Sequence, residues 1–356
     1  MRKRWAIIGI VVVVLAGLVV GGRVLWDRTH RTDLQRALSM VPASSERIGF
    51  TDWAAVRARL GVKAGQDPTE ALVKKLVSKA YDSDLSAASS IDDSAVALQL
   101  NYSFSPATIS WEAYAQSPEG AAMVVQLPSD ASMGRIADNL RSLGYKAPST
   151  ATGVWRGGID LVASIDPTIT PELQYVVLLA DQHVLVSSDT SSYAALTAKV
   201  AAGDGDSSSS VSSVADMAKR IEEPAAAMVW TRDFACSDLA MSQADADSQR
   251  QASQLIATAG KVSALSGLVM SMAPDRTLTV GEEFDSSSQA AENLRARARL
   301  AVGASVGRGD GSFADDFKLT VSRSVGSTVL LDLKPKTRSG FVLSDLYDGP
   351  VLFATC

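Results

Sequence analysis

Trp111-Glu112-Ala113-Tyr114-Ala115 and Ala121-Ala122-Met123-Val124-Val125-Gln126-Leu127 flank the tetrapeptide Ser117-Pro118-Glu119-Gly120. Proline presets φ at the second position of a type I turn and glycine suits the fourth, so the two runs are expected to pair as an antiparallel hairpin. The same logic predicts a second hairpin from Tyr175–Leu179 and His183–Val186 around Asp181-Gln182. A third joins Phe317, Leu319 and Val321, which alternate with Lys318, Thr320 and Ser322, to Val329–Leu333 beyond Gly326. Between the hairpins the apolar period changes from two to about 3.6. Leu72, Val73, Leu76, Val77 and Ala80 share one helical face, as do Met133, Ile136, Ala137, Leu140 and Leu143. Asp67-Pro68-Thr69-Glu70 reads as the start of the first of these helices, with Asp67 as cap and Glu70 reaching back to it. Strands in hairpins interleaved with helices define an α+β fold.

The N-terminus is of a different character. Arg2, Lys3 and Arg4 precede an uncharged run from Trp5 to Gly22, and Val24, Leu25 and Trp26 extend it beyond Arg23. As a helix, residues 5–26 would reach about 33 Å, enough for a hydrocarbon core of about 30 Å. The basic cluster is expected to hold residues 1–4 in the cytoplasm, with Trp5 and Trp26 at the two interfaces. The expectation is a single-pass protein of the plasma (inner) membrane, with the lipid bilayer as its first partner and its bulk extracytoplasmic. A cleaved signal peptide is the alternative, although the run is long for one and no Ala-x-Ala-like site closes it. Gly17 and Gly21 form a Gly-x-x-x-Gly pair through which two such helices can approach as a homodimer.

After a stalk at 27–36, the chain divides into a lobe at 37–202, a Gly/Asp/Ser-rich solvated loop at 203–213, and a second lobe at 214–356. Val214, Met217, Ala218 and Ile221 open the second lobe as a short helix ended by Pro224. Three features recur in order in the two lobes. Phe50-Thr51-Asp52-Trp53 and Trp230-Thr231-Arg232-Asp233-Phe234 each end a strand, Asp138-Asn139-Leu140-Arg141 and Glu292-Asn293-Leu294-Arg295 each lie on a helix, and each lobe closes on a hairpin. Duplication is one explanation, and chance similarity between Ala-rich helices is the other.

Charge narrows the function. Of the formal net charge of -5, residues 1–28 hold five basic groups and one acidic group, leaving -9 on the remainder. A body of that sign is a poor nucleic-acid binder. Gly303-Ala304-Ser305-Val306-Gly307 matches the Gly-x-Ser-x-Gly elbow of hydrolases. A helix is expected before it where the elbow needs a strand, and no His follows it, since the two are His30 and His183. Gly307, Gly309 and Gly311 lack the Lys-Ser/Thr of a P-loop, and no zinc spacing of His or Cys occurs. Asp204 and Asp206 begin a calcium-like pattern that the serines after them do not complete. Asp82, Asp84, Asp92 and Asp93 can pair as acid and base, or serve as caps and solvated charges. No motif requires a cofactor.

Trp53, Trp111, Trp155 and Trp230 fall near strand ends, where large aromatics either line a ligand cavity or fill a core. Cys236 and Cys356 are the only cysteines. In an oxidising compartment they are expected to form a disulfide. The Ala richness, the preference for Arg over Lys, the short basic anchor and Phe50-Thr51-Asp52-Trp53-Ala54-Ala55-Val56-Arg57 resemble the single-pass exported envelope proteins of actinobacteria and mycobacteria. That resemblance implies an accessory role at the envelope, beside transporters of envelope lipids, and assigns no residue a role. Three functions follow: a non-catalytic tethered module that binds a partner protein or an envelope lipid, an exported hydrolase using Ser305 or a carboxylate pair, and a passive structural spacer.

Overall fold

Pro118 and Glu119 turn the chain between Ser117 and Gly120, which pair with each other, and the flanking strands run in register to Trp111 opposite Gln126. The computed structural model describes residues 31–356 except 232–233, 240 and 310. Its strands are β1 (Arg47–Thr51), β2 (Trp111–Ser117), β3 (Gly120–Gln126), β4 (Trp155–Arg156), β5 (Tyr175–Leu179), β6 (Val184–Ser188), β7 (Ala226–Thr231), β8 (Gly267–Met272), β9 (Leu278–Glu283), β10 (Phe317–Val325) and β11 (Thr328–Pro335). They form one sheet in the order β10-β11-β9-β8-β7-β1-β2-β3-β6-β5-β4. Every neighbour is antiparallel, which makes the mixed α+β fold with an antiparallel sheet plain.

The stretches before and after the 203–213 segment meet at the centre of this sheet, where β1 pairs with β7. Outward from that seam the strand order is first, second, third, then a closing hairpin entered by its later strand: β1-β2-β3-β6-β5 on one side and β7-β8-β9-β11-β10 on the other. Across the seam Arg47 lies opposite Trp230 and Phe50 opposite Ala227.

Both faces of the middle of the sheet are covered, so β1 and β5–β9 are buried on both sides, whereas the edge strand β10 alternates buried or half-buried residues with exposed Lys318, Thr320 and Ser322. The helices are α1 (Asp33–Leu38), α2 (Trp53–Leu60), α3 (Glu70–Asp82), α4 (Ala95–Tyr102), α5 (Met133–Leu143), α6 (Ile159–Ile165), α7 (Ser191–Ala201), α8 (Ser212–Ala218), α9 (Phe234–Asp238), α10 (Ala246–Ala259), α11 (Ser287–Leu300), α12 (Phe313–Asp316) and α13 (Leu343–Tyr347). Apolar residues of α1, α7 and α8 join Phe50, Trp111, Val124 and Val229 in one core. The other helices share the opposite core with Met123, Val125, Trp230 and Leu331.

Local chemistry moves several boundaries. The cap of α3 is Thr69, whose hydroxyl accepts from Leu72 N, while Asp67 is drawn away into an ion pair with Arg135. Residues 33–36, read as stalk, are the first turns of α1. Thr32 and Gln35 close a capping box there, and Leu34 is buried. The 203–213 segment is tied down rather than freely solvated. Ser208 is buried, its hydroxyl donates to Pro42 O at 2.8 Å, and Ala43 N donates to Asp206 O at 2.9 Å.

Cys236 and Cys356 are joined in a disulfide, with Cα atoms 5.6 Å apart. It bridges a sequence separation of 120, for which chain-entropy arithmetic gives about 4 to 5 kcal/mol as an upper figure. Val351–Ala354 are buried just before it, so the C-terminus is packed into the body. Among the described residues no helix is long and apolar enough to cross a membrane. The 5–26 run, with Gly17 and Gly21, lies outside them.

Candidate functional site

The four tryptophans are core. Trp53, Trp111, Trp155 and Trp230 expose 0%, 1%, 5% and 0% of their surface, and none lines any of the cavities described below. Trp53 and Trp230 spend their indole N–H groups on carboxylates, Glu112 at 2.8 Å and Asp238 at 2.7 Å. Trp111 packs on Phe50 and Trp155 lies under the Arg141 guanidinium. A tryptophan at a strand end carries no sequence mark that separates cavity wall from core when both faces of the sheet are covered.

Ser305 follows α11 through a glycine, and its backbone N–H donates to Gly311 O, so a strand-turn-helix elbow is not formed. Asp84 is buried and accepts from Val342 N at 2.8 Å, Leu343 N at 2.5 Å, Ser344 N at 3.1 Å and Ser344 Oγ at 2.6 Å. It therefore caps α13, a helix of the other half of the sheet. Burial raises the Asp92 carboxyl, whereas Asp82 and Asp93 are exposed. Among the described residues no cluster of three or more His, Cys, Asp or Glu is placed to hold a metal ion.

The most perturbed carboxyls were not singled out in the sequence. Glu112 on β2 and Glu282 on β9 are fully buried. Desolvation pushes Glu112 up to about 7, against lowering by hydrogen bonds from Ser89, Trp53 and Ser90. Desolvation also raises Glu282, against the opposing charge of Arg297. Neither lines any of the cavities described here, so neither is placed to meet a substrate there.

A cavity of about 270 Å³ opens where α2, the loop after α4, and the β3-α5 connection converge. Its fixed charge is Arg57. The Arg57 Nη1 donates to Pro106 O and Ile109 O, both at 2.7 Å, which pins the guanidinium, and among the described residues Nε and Nη2 have no acceptor. Burial lowers the Arg57 pKa, and Asp52 opposes this electrostatically without forming an ion pair. Asp52 itself caps α2 through Ala55 N and is pushed up to about 6 by burial. Ser103 Oγ accepts from Asn139 Nδ2 at 2.7 Å and Ser132 Oγ accepts from Arg135 N at 3.2 Å, so both hydroxyl protons are free to be donated. Leu127 and Ile136 supply an apolar wall. These residues span 57–136 in loops and helix ends, and no motif at fixed spacing announces them.

Hollows of about 720 and 620 Å³ contain arginines too, but carboxylates outnumber them there, whereas the Arg57 cavity is lined by Arg57 and Arg135 against one carboxylate, Asp130. Arg220 shares the first with Glu222 and Glu223, and Arg308 shares the second with Asp316, Asp345 and Asp348. The Arg57 cavity is therefore the better candidate for binding an anion.

No protein-family model and no curated protein matches the chain. Among solved structures it is similar to "Structure of crystal form I of TP0453", at 7% identity and a TM-score of 0.40, covering 90% of this chain and 97% of that one. A likeness that distant carries nothing about the site.

Proposed function

We propose that this chain is a membrane-tethered module whose body lies outside the cytoplasm and binds an envelope lipid or partner protein without turning it over. The observation that carries the proposal is the Cys236–Cys356 bridge, because thiols stay paired in exported proteins and are kept reduced in the cytosol. The basic cluster ahead of residues 5–26 supports the same orientation, with the Gly17–Gly21 face as the proposed dimer contact. A binding role is supported by a pinned, unpaired cation in a cavity, and by the engagement of Asp84 in a cap instead of an acid–base pair. The resemblance to actinobacterial envelope proteins points to the same setting. The repeated strand order supports reading the two halves as a duplication.

The test is protease treatment of intact spheroplasts carrying the full chain. Cleavage within 27–32, ahead of α1, should release the body as one intact chain with or without reductant. A body protected until the membrane is breached overturns the orientation.

A further inference from the structure

A partly buried cation without a counter-charge is costly, because its lost hydration is repaid only by hydrogen bonds or an opposite charge. Arg57 has part of that repayment from two carbonyls and from the field of Asp52, and forms no ion pair among the described residues. Its unused edge, Nε and Nη2, is the side of a guanidinium that grips a planar or tetrahedral oxyanion with two parallel hydrogen bonds. Because Nη1 is pinned by two backbone oxygens, that edge is oriented before any ligand arrives, which lowers the entropy cost of binding.

Several other polar groups of the lining are also donors. Ser103 and Ser132 each have an unspent hydroxyl proton, and Arg135, although paired with Asp67, lines the same space. The one carboxylate in the lining, Asp130, is occupied by Gln66 Nε2 at 3.1 Å. A carboxylate ligand offers two acceptor oxygens, whereas a phosphate ester offers three or four in a tetrahedral array, which matches donors arriving from several elements. The cavity of about 270 Å³ opens to solvent and is on the scale of a small phosphate ester.

We propose that the cavity between α2 and the start of α5 binds the phosphate group of a small phosphate ester, free or as a lipid headgroup, with Arg57 as its anchor. Leu127 and Ile136 pack against the ester's carbon part. This rests on reading the chain as a binding module and names the chemistry of its ligand.

The experiment is hydrogen–deuterium exchange on the purified full chain with sn-glycerol 3-phosphate, with succinate as the carboxylate control, alongside titration calorimetry. Protection of segments 57–66 and 127–136 by the phosphate ester is expected. Arg57→Gln should abolish it, but that variant also loses the ties to Pro106 and Ile109. Ala64→Asp is the second variant: it changes a loop residue of the cavity wall and offers Arg57 an internal carboxylate. It should weaken phosphate binding by about tenfold or more while thermal stability holds or rises. Protection by vesicles of phosphatidylglycerol, but not of an uncharged phosphate-free glycolipid, assigns the phosphate to a lipid headgroup. Protection by the soluble ester alone assigns it to a free ligand. No protection by either, equal protection in Ala64→Asp, or succinate matching the ester overturns the proposal. Protease shaving reads sidedness and is blind to the ligand, so the failure of one idea is distinguishable from the failure of the other.

Discussion

Glu112 on β2 and Glu282 on β9 are buried acids in different halves of the sheet and are stabilised by different means. Each projects from a strand onto the face covered by the larger set of helices, and each is fully buried. Glu112 accepts from Trp53 Nε1 at 2.8 Å, Ser89 Oγ at 2.5 Å, Ser90 Oγ at 3.0 Å and Ser90 N at 3.3 Å. Glu282 accepts no hydrogen bond, and its nearest cation is Arg297 Nε at 3.8 Å. Arg297 directs the rest of its guanidinium to backbone oxygens: Phe353 O, Thr355 O at 2.7 Å and Ser263 O at 2.5 Å. The first half meets its buried acid with neutral donors, the second with the field of a cation whose hydrogen bonds are spent holding the C-terminal tail. Removing one partner should therefore have unequal consequences in the two halves.

The largest effect is expected at Arg297. Arg297→Met leaves three carbonyls without their donor and Glu282 without its compensating charge, which by analogy with other broken buried pairs costs about 3 to 5 kcal/mol. Urea denaturation measures it, and hydrogen exchange should show residues 351–355 opening first. A loss below about 1 kcal/mol would mean that the disulfide alone holds the tail and that the pair is energetically idle.

Next in size is the pH dependence contributed by Glu112. Its folded pKa of about 7 lies above the ordinary glutamate value of 4.5, so between those pH values the folded state holds the proton and the unfolded state has released it. Its contribution to stability is therefore fully present below about pH 4.5 and is lost as pH rises through about 7, by about 3 kcal/mol at 1.36 kcal/mol per unit. Glu112→Gln removes this slope while the Glu282 contribution remains. The difference between wild type and variant across pH 4.5 to 7.5 isolates the Glu112 site. Parallel curves would show that the carboxyl is ionised in both states.

These acids also show what the sequence can and cannot disclose. The hairpin at 111–126 is legible because a turn tetrapeptide and flanking apolar runs are local signals. Within it Glu112 sits beside Trp111 and reads as a strand's solvent-facing residue, which would hold if one face were wet. The Ser89-Ser90 loop and α2 cover that face instead, and they come from 22 or more positions away. The β1-β7 seam joins residues about 180 positions apart and depends on no turn, so nothing local marks it. At α3 the sequence reads Asp67 as the cap, and the structure uses Thr69. The choice is made by Arg135, which pairs with Asp67 from 68 positions away. The Arg57 cavity is hidden for the same reason: its donors converge only after three connections have folded.

Asp84 tests a different junction between the halves, and a smaller effect is expected. Asp84→Ala removes four hydrogen bonds from the first turn of α13, each of modest net worth, and leaves three buried or half-buried N–H groups to find water. A cost of about 2 kcal/mol follows from the range for lost caps and unsatisfied donors. Exchange at residues 342–347 should accelerate without any change at β1-β7. Acceleration along the central seam would show that this clasp, and not strand pairing, unites the sheet.

The smallest effect is expected at Glu282. Its carboxyl makes no hydrogen bond, so Glu282→Gln orphans no donor, unlike any change at Glu112. Desolvation raises its pKa, and glutamine has the shape of the protonated acid that burial favours. Arg297 loses an attractive field but keeps its three carbonyl acceptors, which already stand in for much of its hydration. The gain from removing a buried carboxylate and the loss of its attraction to Arg297 oppose each other, and a net change within about 1 kcal/mol is expected at pH 6. Denaturation of Glu282→Gln beside Arg297→Met measures this asymmetry directly. If the glutamine variant loses about 3 kcal/mol or more, the pair acts as a fully charged unit and the contrast between the halves reduces to a difference in hydrogen-bond count.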